Sequence, residues 1–232
     1  IDGGQSGKRI LDNMVLAGCG NARDLDAIFV THAHRDHVIG VGILARKLKI
    51  PVYATEGTWY QMKPLIGDLP RELKRYIGTE TSVRIGDLQI DSFPTSHDAL
   101  ESVGYVVREE EVSLGIATDC GVFSNCMERY LKNVQGLVLE ANHDLTMLKN
   151  GRYPEYLKRR IAGVKGHLSN EDAAKGLLRI LGEKTQQVLL AHLSEENNHP
   201  SLALESFKRI VGDRELKISV LPRCTPGDWM VL

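Results

Sequence analysis

The stretch Thr31-His32-Ala33-His34-Arg35-Asp36-His37 holds four potential metal ligands within six positions, directly after the apolar run at 27–30. In an extended segment successive side chains alternate, so His32 and His34 project to one side and can grip one ion together. Asp36 and His37 are adjacent. As the chain turns into the apolar stretch 38–45, their directions diverge from the first pair, enough to reach a second ion. Nitrogen and carboxylate ligands suit zinc, manganese or iron rather than calcium or magnesium. The competing interpretation is a surface loop that happens to hold three histidines, and ligand types this dense are rare by chance.

Such a loop needs strands to carry it and other elements to complete its coordination. The chain has 232 residues, 42% hydrophobic and 25% charged, which is ordinary for one large domain and excludes disordered and fibrous classes. A formal charge of -1 leaves affinity for a polyanion to a local patch and metal ions. Cys19, Cys120, Cys126 and Cys224 show neither a C-x-x-C pair nor zinc-finger spacing, so reduced thiols in a cytoplasmic protein are expected. No apolar run approaches the length of a membrane span, and no signal peptide is visible. The opening residues Ile1 to Gly4 read as a strand end entering a turn, so the chain is expected to begin inside a domain, with earlier residues missing.

Strand-like runs at 27–30, 51–54, 83–93, 103–107, 112–117, 136–140 and 188–191 alternate with helical patterns starting at Val38, Pro70, Ser124, Glu155, Glu171 and Ser201. One domain spanning 1–232 is the simplest organisation, because no linker-like shift or repeat divides the chain. Glu109, Glu110 and Glu111 predict a charged hairpin turn, and Ser169 with Asp172 a capping box. The informative pattern lies at strand ends. His32, His97, Asp119, His143 and His192 each follow a separate predicted strand. Ligand sites of α/β sheets lie at such carboxyl ends, so side chains distant in sequence can meet in one crevice.

These residues resemble the metallo-β-lactamase fold hydrolases, marked by H-x-H-x-D-H, then a lone His, an Asp and a final His. His32, His34, Asp36, His37, His97, Asp119 and His192 follow in that order. Further strings are similar to the YycJ-type (WalJ or VicX) subfamily of bacterial nucleases: DGGQSGK at 2–8, SHD at 96–98, ATDCG at 117–121, EANHD at 140–144, GRYP at 151–154, GHLSN at 166–170 and AHLS at 191–194. The resemblance covers essentially the whole chain. It implies an α/β fold of αββα sandwich type, two mixed sheets face to face with helices outside, and a first β-hairpin that this chain lacks. It also implies two divalent metal ions, zinc or manganese with iron a further candidate. His32, His34 and His97 would hold one, Asp36, His37 and His192 the other, and Asp119 would bridge them. Asp2 would support the metal loop without touching an ion, as ligating imidazoles require.

Two adjacent metals lower the pKa of a water and neutralise charge on the attacked group. No G-x-S-x-G nucleophile elbow competes, and Arg9 after Lys8 rules out a P-loop. Flavodiiron oxidoreductases, similar in fold, carry Glu where Ala33 stands, so hydrolysis is favoured over oxygen chemistry. Between 149 and 165, Lys149, Arg152, Lys158, Arg159, Arg160 and Lys165 face Glu155 alone, with Tyr153 and Tyr156 among them. Basic residues interleaved with aromatics suit single-stranded nucleic acid, although a solvated helix face has the same composition. Gly166 to Asn170 lead into a helix whose free N–H groups can bind a phosphate, which makes Ser169 and Asn170 substrate candidates alongside Arg152, Arg159 and Arg160. His167 and His143 are candidates for protonating the leaving oxygen, and Asp36 for orienting the attacking hydroxide as well as binding metal. The function expected is DNA hydrolysis from a 5′ end, single strands preferred, as the subfamily resemblance implies. The alternatives are a metallo-hydrolase of a small thioester, lactone or lactam, and a metal-stabilised scaffold without turnover.

Overall fold

A computed structural model of the chain describes residues 1–212, 214–227 and 229–232. A small sheet is formed by β1 (Ile28–Phe29), β2 (Val52–Ala54) and β3 (Lys74–Tyr76), in that order and wholly parallel. A seven-stranded sheet holds β4 (Ser82–Ile85), β5 (Leu88–Pro94), β6 (Val103–Glu109), β7 (Val112–Ala117), β8 (Gly136–Glu140), β9 (Gln187–Ala191) and β10 (Lys217–Val220). Its order is β10-β9-β8-β7-β6-β5-β4, parallel from β10 to β7 and antiparallel from β7 to β4.

Side-chain alternation sets the layers. In β6, Val103, Tyr105 and Val107 face the small sheet, where Tyr105 and Ile90 of β5 pack with Phe29. Phe29 stacks on Tyr53 at 4.5 Å and meets Tyr105 edge-on at 5.6 Å, and the Tyr105 hydroxyl donates to the Val30 carbonyl at 2.7 Å. That hydrogen bond lets a phenol sit fully buried between two sheets. Val106 and Phe93 point the other way, into a core with Leu137, Leu139, Val188 and Leu190.

Helices close both outer faces. On the small sheet lie α3 (Val41–Leu48) and α4 (Glu56–Ile66), burying Val41, Leu44, Trp59 and Met62 against Ile28, Val52 and Ala54. On the large sheet lie α5 (Asn125–Leu131), α8 (Asn170–Ile180) and α9 (Pro200–Val211), contributing Met127, Leu131, Leu177, Ile180 and Phe207. Each fully buried large side chain stabilises the fold by about 1.5–3 kcal/mol. The result is helix, sheet, sheet, helix, with α1 (Gly7–Leu16), α2 (Arg35–Val38), α6 (Leu145–Asn150) and α7 (Glu155–Ile161) along the periphery.

Several expectations change. The small sheet is parallel rather than mixed. The run 83–93 is a hairpin, broken where Gly86 takes φ 57°. The helix expected from Pro70 is a single 3-10 turn, Arg71–Leu73, followed by β3. The helix expected from Val38 begins earlier and divides at Gly40, where a Cβ would lie 2.3 Å from the Gln5 carbonyl oxygen. Helices α1, α4 and α6 and strand β10 had no counterpart in the sequence reading. The glutamate turn is present between β6 and β7, with Glu110 at φ 48°.

Candidate metal centre

The first two ligand-type residues stand where β1 runs out, and the loop after it is held from below. Asp2 accepts from the Thr31 N–H at 2.8 Å through Oδ1, and from the Thr31 hydroxyl (2.9 Å) and His37 Nδ1 (2.8 Å) through Oδ2. With its O–H donated to Asp2, the Thr31 oxygen accepts from His32 Nδ1 at 3.0 Å. This relay fixes the tautomer of His32 and leaves its Nε2 lone pair pointing inward. The opening turn grips the same loop by backbone, with Gly3 N–H donating to the His37 carbonyl at 2.7 Å. At Gly4 only hydrogen fits, because a Cβ would overlap the Asp36 carbonyl oxygen at 1.6 Å.

The remaining imidazoles repeat the pattern. His97, after β5, donates from Nδ1 to the Gly166 carbonyl at 3.1 Å, and His192, after β9, donates from Nδ1 to Glu140 at 2.9 Å. Four histidines thus tie Nδ1 outward and turn Nε2 toward Asp119. The distances from Asp119 are 3.3 Å to His37 Nε2 and 3.6 Å each to His97 and His192 Nε2. His34 Nδ1 lies 3.2 Å from His97 Nε2, and Asp36 lies 3.8 Å from His192 Nε2. Ligands about 2.0–2.1 Å from one tetrahedral ion stand about 3.3 Å from each other, so these separations are those of a shared ion.

Two groups that could hold an ion are His32, His34 and His97, and Asp36, His37 and His192; Asp119 joins His32 and His37 in a third. Buried polar atoms test the fit. His32 Nε2 and Asp119 Oδ2 are shielded from solvent without any hydrogen-bond partner, an arrangement that costs about 1–3 kcal/mol per atom unless something fills it. A cation bound by both satisfies them, and the donor set fits it.

Electrostatics divide the imidazoles. Burial, then the neighbouring histidines, holds the His32 pKa far below its ordinary value, and burial also lowers that of His97, so both stay neutral and able to ligate. Burial opposes charge on His37 as well, but the hydrogen bond and charge of Asp2, with Asp119, raise it to about 9. For His192, burial is outweighed by Asp119, Asp36 and Glu140, and its pKa rises. The nearby imidazole of His192, with that of His37, holds the exposed Asp36 well below the carboxylate range.

Glu140 was not among the expected site residues, although it opens the EANHD string. It is fully buried at the end of β8. Oε1 accepts from His167 Nδ1 at 2.8 Å, His192 Nδ1 at 2.9 Å and the Asp119 N–H at 3.2 Å; Oε2 accepts from the N–H groups of Cys120 (3.1 Å) and Leu168 (3.0 Å). Burial alone would raise its pKa, yet the bonds from His167 and His192 dominate and hold it low. With both oxygens saturated, Glu140 anchors side chains and does not bind an ion itself. It also steadies strained backbone: Asp119 and His192 sit at φ 58° and 57°, as Asp2 does at 59°, a region that costs a non-glycine residue of order 1–3 kcal/mol.

Residues 12–193 match the β-lactamase superfamily domain. The chain belongs to the metallo-β-lactamase superfamily. It is 39% identical over 214 residues to exodeoxyribonuclease YycJ of Bacillus anthracis, an alignment covering 92% of this chain and 81% of that protein. It is also 39% identical over 223 residues to exodeoxyribonuclease WalJ of Streptococcus pneumoniae, covering 95% and 82%. Matches of that extent place it in the YycJ/WalJ family. The crystal structure of the metallo-β-lactamase fold protein YhfI from Bacillus subtilis aligns with a TM-score of 0.70 over 98% of this chain and 85% of that one, at 17% identity. That likeness speaks to fold alone.

Within this metallo-β-lactamase fold, the expected substrate residues separate. His167 reaches the wall of an open cleft of about 970 Å³ beside His192 and Asp36, and Tyr153 lines the same cleft. Arg152 and Arg159 face solvent. Arg160 instead pairs with Asp98 at 2.5 Å, next to His34 and His97, so the last turn of α7 braces the metal edge. Ser169 and Asn170 are corrected: both are 1% exposed. Ser169 caps α8 and donates to Asp172 at 2.7 Å, while Asn170 exchanges hydrogen bonds with Asn198. The N–H groups of Asn170, Asp172 and Ala173 are already taken, which removes the expected phosphate cradle. His143 is likewise 1% exposed, with burial lowering its pKa, and does not reach the cleft.

Proposed function

We propose that the protein is a metal-dependent exodeoxyribonuclease that hydrolyses DNA phosphodiesters from a 5′ end and prefers single strands. Asp119 carries the reading of hydrolysis: it stands between two ligand sets with a buried oxygen left unpartnered. The names of the relatives support DNA as the substrate. His32, His34 and His97 would hold one divalent ion and Asp36, His37 and His192 a second, with Asp119 shared. Zinc and manganese suit this mixed imidazole and carboxylate set, and iron is also compatible. Ions bound there supply a water of lowered pKa and neutralise charge on the phosphate.

The chain's own groups do the rest. Asp2 and Glu140 fix imidazole orientation. Asp36, exposed at the cleft, is placed to orient the attacking water. His167 presents Nε2 to the cleft because Glu140 holds its Nδ1; in its protonated form it donates to the leaving oxygen. Arg152 and Arg159 contribute phosphate contacts, and Tyr153 a face for a base. Four free thiols fit work in the reducing cytoplasm. Among the described residues no helix is long and apolar enough to cross a membrane.

The deciding experiment compares a labelled 5′-phosphorylated single strand with a thioester, using enzyme loaded with each divalent ion. Stepwise loss of nucleotides from the strand is expected. Efficient thioester hydrolysis with intact DNA overturns the reading in favour of a small-substrate hydrolase. His34→Ala, properly folded, should lose DNA cleavage altogether.

A further inference from the structure

Where α4 meets β3, the surface presents aromatic rings and lysines that the reaction centre does not use. Trp59, Tyr60, Lys63, Lys74 and Tyr76, with Glu56, line a cavity of about 280 Å³. Residues 56, 59, 60 and 63 recur at the three- and four-residue spacing that aligns one helical face. Trp59 forms the wall. It is 6% exposed, and its Nε1 donates to the Arg75 carbonyl at 3.0 Å, so the indole is locked. Tyr60 and Tyr76 are left 78% and 65% exposed, the latter 5.9 Å from the indole. Lys74 Nζ stands 6.0 Å over that indole, and neither Lys63 nor Lys74 forms an ion pair among the described residues.

The helix that carries this groove also meets the reaction edge, through another of its faces. The first turns of α4 abut the loop that carries His97: Gly57 N–H donates to Glu101 at 2.6 Å, and Leu100 N–H to Gln61 at 2.9 Å. Glu101 also borders a cleft of about 510 Å³ that reaches His97 and Lys165 on one side and Thr79, three residues beyond Tyr76, on the other. The cleft at His97 and the aromatic groove thus lie on either side of the α4 and His97-loop contact, with separate linings.

We propose that this groove binds nucleotides of a single DNA strand beyond the one being hydrolysed, Tyr60 and Tyr76 stacking on bases and Lys63 and Lys74 meeting phosphates. Stacking faces beside cations hold single strands with little regard to sequence. The proposal rests on the nuclease reading, and the test separates the two.

Tyr60→Ala/Tyr76→Ala changes two exposed side chains, and Tyr60→Phe/Tyr76→Phe keeps both rings. With the metal-loaded enzyme, KM is measured for single strands from about 4 to about 16 nucleotides long, the range of site sizes for such surfaces. The alanine variant should keep kcat and the KM of the shortest strand, and raise KM for the longest by about tenfold or more. The phenylalanine variant should behave as wild type. Equal KM at every length for the alanine variant and wild type overturns the groove. Fluorescence anisotropy of a labelled long strand without divalent metal reports binding apart from cleavage. Binding that depends on the two rings in a protein that cleaves no DNA keeps the groove and removes the nuclease reading. Wild-type protein that fails to bind the strand, or an alanine variant that binds it equally well, overturns the groove.

Discussion

The two halves of the metal centre are built on different anchors. His37 and His192 hand their outward protons to carboxylates, Asp2 and Glu140. His32 and His97 hand theirs to neutral acceptors, the Thr31 hydroxyl and the Gly166 carbonyl. A carboxylate partner makes an imidazole a stronger donor to metal, so the Asp36, His37 and His192 set should bind its ion more tightly. The contrast also appears in the titration of the free side chains, raised for His37 and His192 and lowered for His32 and His97. Under the proposed two-ion reading, one edge of the protein would therefore hold one ion firmly beside a more exchangeable one.

The largest effect should come from Asp119, which both halves share. Asp119→Ala should fold and melt close to wild type yet degrade a labelled strand no faster than background. Full activity in that variant would mean the centre is not the reaction site. Next comes Glu140→Gln, which puts an amide donor where N–H groups already point. Leaving buried donors unpaired should lower stability by about 3 kcal/mol, seen as a fall in Tm of the metal-free protein. Retained ion at the His37 and His192 half should fall in affinity by about 10- to 100-fold, read by metal titration. Asp2→Asn acts on the same half from the other side and should weaken the ion within the same range of about 10- to 100-fold. Its cost in stability is smaller, since Asp2 keeps 18% of its side chain in contact with solvent.

The sequence made the candidate ligands and, through the family resemblance, the Asp2 support legible, but not the Glu140 support, and the reason is physical. Histidines and aspartates at the ends of apolar runs stand out because those residue types are unusual where strands stop, and strand ends of α/β sheets share one edge. Glu140 carried no such signal. A carboxylate closing a strand looks the same whether it meets water or five buried donors, and its donors come from positions 20, 21, 27, 28 and 52 residues away. Ser169 misled in the opposite direction: the N-cap was legible, but whether its helix end opens to solvent is decided by Asn142 and Asn198 packing over it. Helix α4 was hidden by Gly57 and Pro64, residues disfavoured in a helix on propensity alone. Tertiary burial of Trp59 and Met62 overrides that preference.

The smallest predicted effect is the most discriminating for the comparison of halves. Thr31→Val preserves shape at a residue 2% exposed, and removes the hydroxyl that links Asp2 to His32. Two hydrogen bonds are lost and the buried His32 Nδ1–H is left unpaired, so stability should fall by about 2 kcal/mol. His32 then loses the acceptor that fixes its tautomer, but Asp2 still accepts from His37, so the carboxylate-backed half keeps its anchor. The expected outcome is a fewfold loss of affinity for the weaker ion alone, with the tighter ion unchanged, measured by stepwise chelation with a metal indicator. Asp2→Asn should do the reverse, loosening the tighter ion first. Should Thr31→Val and Asp2→Asn release the same ion to the same extent, the neutral and charged anchors are equivalent, and the two ions are held by the shared Asp119 rather than by the halves that flank it.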